Sequence, residues 1–277
     1  MDALLVEPTE LLSPQEAVVF DCRFSLADPG AGLADYQAGH VPGAHYLDLD
    51  RHLSGARGRH GGRHPLPDPA QFCELLGGFG VCSDTAVIAY DDSRLAFAAR
   101  LWWLMHSLGY RPPRLLNGGY RAWLAAGGEP QQALPRTRPR AASAVRGYSG
   151  VCDIDGLCAV QAAGALLVDA REPRRYQGVE EPIDPVAGHI PGAVNRPWQG
   201  VTDDEGRVRE PAAQRSHWGD ALDAQDIVVY CGSGVTACVD LFSLALLDRE
   251  GTLYAGSWSD WCSYLEPQGD DSEKAEA

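Results

Sequence analysis

Short runs of β-branched and apolar residues alternate along this chain with longer stretches whose apolar positions recur at helical spacing. Residues 86–90 and Ile227–Tyr230 read as buried strands, and Leu115-Leu116 as a short strand before a Gly118-Gly119 turn. Residues 95–108 and 238–247 read as helices, as do residues 69–76, with Asp68 as N-cap and Pro69 at the first helical position. This alternation predicts an α/β fold in which a mainly parallel sheet is flanked by helices. Ligands bind such sheets at the carboxyl ends of the strands.

The pattern occurs twice. Val18-Val19-Phe20-Asp21-Cys22-Arg23 matches Leu166-Leu167-Val168-Asp169-Ala170-Arg171, and Gly39-His40-Val41-Pro42-Gly43-Ala44 matches Gly188-His189-Ile190-Pro191-Gly192-Ala193. Ala86-Val87-Ile88-Ala89-Tyr90 matches Asp226-Ile227-Val228-Val229-Tyr230, and Gly118-Gly119-Tyr120-Arg121-Ala122-Trp123 matches Gly256-Ser257-Trp258-Ser259-Asp260-Trp261. Four blocks in the same order indicate a duplicated domain. Residues 129–140 between the copies are rich in proline and arginine, without hydrophobic periodicity, and read as an extended connector. The expected division is 1–128, a linker over 129–150, and 151–277, with an acidic, frayed tail after Pro267.

Composition narrows the function. The chain has 277 residues, 45% hydrophobic and 22% charged, with a formal net charge of −15. That charge argues against a nucleic-acid partner. Residues 1–20 carry no basic n-region, and no apolar run reaches membrane-span length, since Arg100 and His106 break residues 95–108. Eight cysteines without a C-x-x-C pair suggest neither a disulfide framework nor a zinc ribbon. A cytoplasmic location without a membrane partner is expected.

Cys231 is the candidate for chemistry. The strand Ile227–Tyr230 stops at Cys231-Gly232-Ser233-Gly234-Val235-Thr236, and a helix follows. A thiol there faces free N–H groups and the positive end of the helix dipole, an arrangement expected to favour the thiolate nucleophile. Gly232 and Gly234 permit close backbone approach, while Ser233 and Thr236 can donate hydroxyl bonds. Taken alone, the loop is equally compatible with an inert buried cysteine. Aligning Tyr90 with Tyr230 puts Asp91 where Cys231 stands, so only the second copy carries a thiol. Cysteine phosphatases need arginine six residues after the cysteine; here it is Ala237, which excludes that chemistry.

These residues resemble the tandem-domain rhodanese sulfurtransferases over nearly the whole chain. Asp169, Arg171 and Gly188-His189-Ile190-Pro191-Gly192-Ala193 match the domain-entry signature, echoed at Asp21, Arg23 and Gly39-His40-Val41-Pro42-Gly43-Ala44. The loop Cys231-Gly232-Ser233-Gly234-Val235-Thr236 is similar to that of 3-mercaptopyruvate sulfurtransferases. The resemblance implies two-step transfer through a Cys231 persulfide, from a small-molecule sulfur donor to a thiophilic acceptor: cyanide or a thiol, including a protein thiol. It implies no metal and no organic cofactor.

For the donor, the resemblance implies two arginines. Arg175 matches the first, with Glu172 as its expected ion-pair partner in a structural role; the second is absent, since Ile183 and Asp184 follow Glu181-Pro182. It also implies an aspartate and histidine in the first half, relayed to the loop serine. His64 matches the histidine, with Arg63 beside it, whereas Leu53-Ser54-Gly55 lacks the aspartate. Arg63 and His64 either reach Cys231 across the domain interface or lie in a solvated glycine-rich loop. His40 and His189 are expected to be structural, and Trp258 and Trp198 to pack in the core or wall the pocket. The loop favours mercaptopyruvate as donor, and the missing arginine favours thiosulfate. A rhodanese-like module that only binds, or senses redox state, is the alternative of another class.

Overall fold

The protein is described by a computed structural model covering residues 4–144 and 146–265, so the acidic segment after Pro267 lies outside the described residues. The first half contains strands β1 (Leu5–Val6), β2 (Val18–Asp21), β3 (His45–Tyr46), β4 (Val87–Tyr90) and β5 (Arg114–Leu116). Its helices are α1 (Ala31–Ala38), α2 (Pro69–Gly78), α3 (Ala98–Ser107) and α4 (Gly119–Ala125). The second half contains β6 (Val151–Cys152), β7 (Leu166–Asp169), β8 (Val194–Asn195), β9 (Ile227–Tyr230) and β10 (Thr252–Tyr254). Helices α5 (Ile154–Ala162), α6 (Pro173–Tyr176), α7 (Pro211–Trp218), α8 (Ala237–Leu246) and α9 (Ser257–Leu265) accompany them. Each half forms one five-stranded parallel sheet, in the orders β1-β5-β4-β2-β3 and β6-β10-β9-β7-β8. The orders superimpose strand for strand, and so does the register, with Asp21 opposite Tyr90 and Asp169 opposite Tyr230.

The repeated Asp-x-Arg motif is structural in both copies. Arg23 grips Asp21 at 2.6 Å and donates to the Gly39 carbonyl at 2.7 Å, while Tyr90 Oη donates to Asp21 and accepts the Val41 N–H. Arg171 repeats this with Asp169 and the Gly188 carbonyl, and the Tyr230 hydroxyl accepts the Ile190 N–H. His40 and His189 each hold a backbone carbonyl (Tyr36 and Tyr176, both 2.7 Å), in keeping with a structural role. Since side chains alternate along a strand, Tyr230 points to this side and Cys231 to the other. Val228 and Tyr230 pack with Ile190 and Trp258, whereas Val229 and Cys231 belong to the apolar core that spans both halves.

That shared core joins α3 to α8, both apolar around most of their circumference and almost fully buried. Trp102 meets Phe242 edge-on at 5.2 Å between ring centroids. The helix expected from residue 95 starts at Ala98 instead. Arg94 and Leu95 have positive φ (61° and 70°), and the Asp91 carboxylate takes the Leu95, Phe97 and Ala98 N–H groups. The Asp68 cap forms as expected, accepting from Ala70 and Gln71. The connector is pinned in two places: Gln131 pairs with His40, and Arg140 N–H reaches the Gly77 carbonyl. Among the described residues, no helix is long and apolar enough to cross a membrane.

Candidate active site

Cys231 follows the last residue of β9, at the carboxyl end of the sheet, and is 2% exposed. Its sulfur accepts the Gly234 N–H at 3.2 Å. Gly234 has φ +78°, and a Cβ there would lie 2.3 Å from the Ala255 carbonyl oxygen, so only glycine fits. The loop carbonyls are drawn away from the sulfur. Trp258 N–H takes the Cys231 carbonyl at 3.0 Å, and Ser259 N–H takes that of Gly232 at 2.9 Å. Ser257 Oγ accepts the Cys231 N–H at 3.1 Å and donates to Tyr254 O at 3.0 Å. Ser257 was not foreseen from the sequence, although a signal existed. It aligns with Gly119, and both adopt positive φ (57° and 62°), a conformation that costs a serine strain energy unless its contacts hold it there. Val235 packs in the core and Thr236 precedes α8 as its N-cap. Trp258 is buried, bonds the Val186 carbonyl through Nε1 and lies under Arg171, so it is a core residue.

His64 reaches the loop across the interface. Its Nδ1 lies 2.7 Å from Ser233 Oγ, and the ring is 4% exposed. The glycine-rich segment before it is docked rather than loose. Gly61 N–H donates to Asp260 Oδ1 at 2.7 Å, His60 meets Ser263 Oγ at 2.7 Å, and a Cβ on Gly62 would strike the Gly256 carbonyl. The aspartate is absent from Leu53-Ser54-Gly55, as the sequence indicated, but another acid is near: Asp50 Oδ1 stands 3.4 Å from His64 Nε2. Three residues upstream of Leu53, Asp50 is brought there by the turn of the chain, not by the local motif. Burial, with the Arg100, Arg63 and Arg57 charges adding to it, pushes His64 down to about 3. The imidazole is therefore neutral, and the tautomer protonated on Nε2 leaves Nδ1 to accept from Ser233.

Two guanidinium groups lie over the loop. A Cβ on Gly232 would be 3.2 Å from Arg63 Nη2 and 3.4 Å from both terminal nitrogens of Arg175. Arg175 is not paired with Glu172, which bonds Gln199 instead. Its fork is held by Glu181 (3.1 and 2.7 Å) and by Asp184 (3.2 Å). Asp184 stands where the second arginine was expected, and its other oxygen binds Arg63 Nη1. The missing cation is thus replaced by one recruited from the first half. Glu181 sits below its ordinary value: burial pushes it up, but hydrogen bonds from Arg175 and from the Asp184 and Ile183 N–H groups outweigh that.

The equivalent loop of the first half is already filled. Asp91 is fully buried and accepts the N–H groups of Ser93, Leu95, Phe97 and Ala98 at 2.8–3.1 Å. Its own carboxylate occupies the cradle that surrounds the sulfur in the second half. A cleft of about 720 Å³ lies beside it, lined in part by Arg94, Trp198 and Arg207, so Trp198 faces this cleft.

The depressed His64 has a stability consequence. The unfolded chain binds a proton on this ring near pH 6.5, the folded protein only near 3. Stability is therefore kept above pH 6.5 and lost as the pH falls toward 3, by up to about 1.4 kcal/mol per pH unit for each such group. His217, pushed down to about 4 by burial and then by Arg196 and Arg209, adds to this. Urea titrations between pH 7 and 5 are expected to show falling stability with a smaller slope in His64→Gln; equal slopes in the two proteins would contradict the buried neutral ring.

Comparison with known proteins gives a consistent picture. The rhodanese-like domain family matches residues 7–126 and 158–264. A probable 3-mercaptopyruvate sulfurtransferase of Pseudomonas aeruginosa is 45% identical over 261 residues, covering 90% of each chain. A putative thiosulfate sulfurtransferase of Mycobacterium tuberculosis is 38% identical over 249 residues, covering 88% of this chain and 87% of its own. Among solved structures, the 3-mercaptopyruvate sulfurtransferase of Leishmania major superimposes with a TM-score of 0.84 at 31% identity, over 95% of this chain and 75% of that one. Two matched segments, two superimposable parallel sheets and this extent of identity together place the chain in the rhodanese family, as a tandem-domain member.

Proposed function

We propose that this protein is a sulfurtransferase that carries sulfane sulfur from 3-mercaptopyruvate, as a persulfide on Cys231, to cyanide or a thiol acceptor. Residues 151–277 carry the nucleophile, residues 1–128 form a non-catalytic domain that completes the site, and residues 129–150 link them. The observation that carries this reading is the sulfur held under the Gly234 N–H with two guanidinium groups above the same loop. Arg63 and Arg175 suit the carboxylate and keto oxygen of a small α-keto acid, because a planar fork matches a carboxylate bidentately.

The Cys231 thiolate attacks the donor sulfur and an S–S bond forms. The donor's C–S bond breaks and its electron pair passes to carbon as an enolate. The donor thiol's proton is handed to that carbon through Ser233 and the neutral His64, and pyruvate leaves. The Gly234 N–H stabilises first the thiolate, then the persulfide. Cyanide or a thiolate then attacks the outer sulfur, the S–S bond breaks and the Cys231 thiolate returns. Asp50 orients His64, leaving its Nδ1 toward Ser233.

A second reading is transfer from thiosulfate. It is favoured by the missing second arginine, since Ile183 and Asp184 follow Glu181-Pro182. Steady-state kcat/KM separates the two: the proposal expects the higher value with mercaptopyruvate, and a higher value with thiosulfate favours the second reading.

Cys231→Ser is expected to abolish transfer to cyanide from either donor; retained transfer would sink the assignment. Arg63→Gln and Arg175→Gln each remove a charge-assisted contact worth about 1.5–3 kcal/mol. Each should raise KM for mercaptopyruvate roughly tenfold to a hundredfold, with a smaller change in kcat. An unchanged KM in Arg63→Gln would remove that residue from the donor site.

A further inference from the structure

Arg100 lies on α3, in the half without the thiol, and is 0% exposed. Its guanidinium spans the domain interface. Nε donates to Leu53 O at 3.3 Å, and Nη2 donates to His64 O at 3.1 Å and Pro65 O at 3.4 Å. Nη1 donates at 3.0 Å to the carbonyl of Gly234, the residue whose N–H touches the Cys231 sulfur. All of these acceptors are backbone carbonyls. Among the described residues, no carboxylate oxygen lies within 4.0 Å of Arg100. Three nearby acids are engaged elsewhere: Asp184 with Arg63 and Arg175, Glu181 with Arg175 and Arg171, and Asp169 with Arg171. Asp240, on α8, is fully buried, and burial and the neighbouring Cys231 push its carboxyl well up, toward the neutral form.

A buried cation without an anionic partner is costly, by several kilocalories per mole. Carbonyl dipoles solvate such a charge but do not neutralise it. One side chain on the neighbouring loop is anionic in the proposed reaction, as a thiolate and then as a persulfide, and that is Cys231. Gly234 links the two, its carbonyl accepting from the guanidinium and its N–H donating to the Cys231 sulfur, while Cys238 Sγ lies 3.4 Å from the same carbonyl.

We infer that Arg100 is a positioning residue and fixed counter-charge for the anionic Cys231 sulfur. It pins the Gly234 carbonyl so that the N–H of the same residue faces the sulfur, and its charge attracts the anionic thiolate and persulfide. It also holds the His64 carbonyl, so one side chain sets both the loop and the ring that contacts Ser233. The inference deepens the sulfurtransferase reading and rests on it for the persulfide, while its thiolate part stands without any donor.

The test compares Arg100→Lys, which keeps the charge, with Arg100→Gln, which keeps polarity alone. Alkylation of Cys231 by iodoacetamide, followed by peptide mass spectrometry with the exposed Cys158 as internal standard, reads sulfur reactivity without a donor. Expected are a loss of tenfold or more at Cys231 in Arg100→Gln, retention within threefold in Arg100→Lys, and no change at Cys158. In turnover with mercaptopyruvate, the Arg100→Gln loss should fall on kcat, with KM within threefold, because Arg100 does not touch the donor. Equal or faster alkylation of Cys231 in Arg100→Gln with the fold intact overturns the inference, as does a loss confined to KM. Should Arg100→Gln fail to fold, Arg100→Lys decides alone: a rate within threefold supports a role for the charge, and a greater loss overturns it. If the wild type transfers no sulfur but the alkylation pattern holds, the sulfurtransferase reading fails while the counter-charge remains.

Discussion

Helix α3 of the first half lies against helix α8 of the half that carries Cys231, with Trp102 edge-on to Phe242 in a core that runs through both. Each helix follows the strand that ends at its half's cradle, so the same contact that closes the core sets one cradle relative to the other half's loops. Arg100 reaches Gly234 from α3. The segment carrying Asp50, Arg63 and His64 crosses to Ser233, Asp184 and Asp260. The sulfur and Arg175 belong to the second half, but Asp50, Arg63, His64 and Arg100 come to its loop from the first.

The duplication explains how the halves came to differ while sharing a frame. Both use the same strand order, the same Asp-Arg-Tyr clasp and the same N–H-lined turn after the fourth strand in chain order. In one half the turn is closed by an internal carboxylate, Asp91, which satisfies its N–H groups permanently. In the other the same space holds a small sulfur that satisfies one N–H and leaves room for chemistry. A cradle filled with its own anion stays folded, because the N–H groups keep their partners.

Much of this was legible in the chain, for local reasons. β-Branched runs, the glycines of the loop and the paired Asp-x-Arg elements express backbone needs that neighbouring residues alone impose, so the α/β class, the repeat and Cys231 could be read directly. The relay aspartate could not, because Asp50 approaches His64 only after a turn of the chain. Asp184 looked like the loss of an arginine, yet it holds Arg63 from a distant segment. Arg100 looked like a polar break in an apolar helix, and its partners are carbonyls from three separate segments. Ser257 was within reach, since its alignment with Gly119 marked a position of positive φ.

The central claim is that Cys231 alone carries the transferred sulfur. Intact-mass measurement of the protein after incubation with mercaptopyruvate, without acceptor, tests this most directly. The account predicts a gain of one sulfur atom, located on the peptide containing Cys231, removed by cyanide and absent from Cys231→Ser. No gain with either mercaptopyruvate or thiosulfate, or a gain that persists in Cys231→Ser, would contradict it.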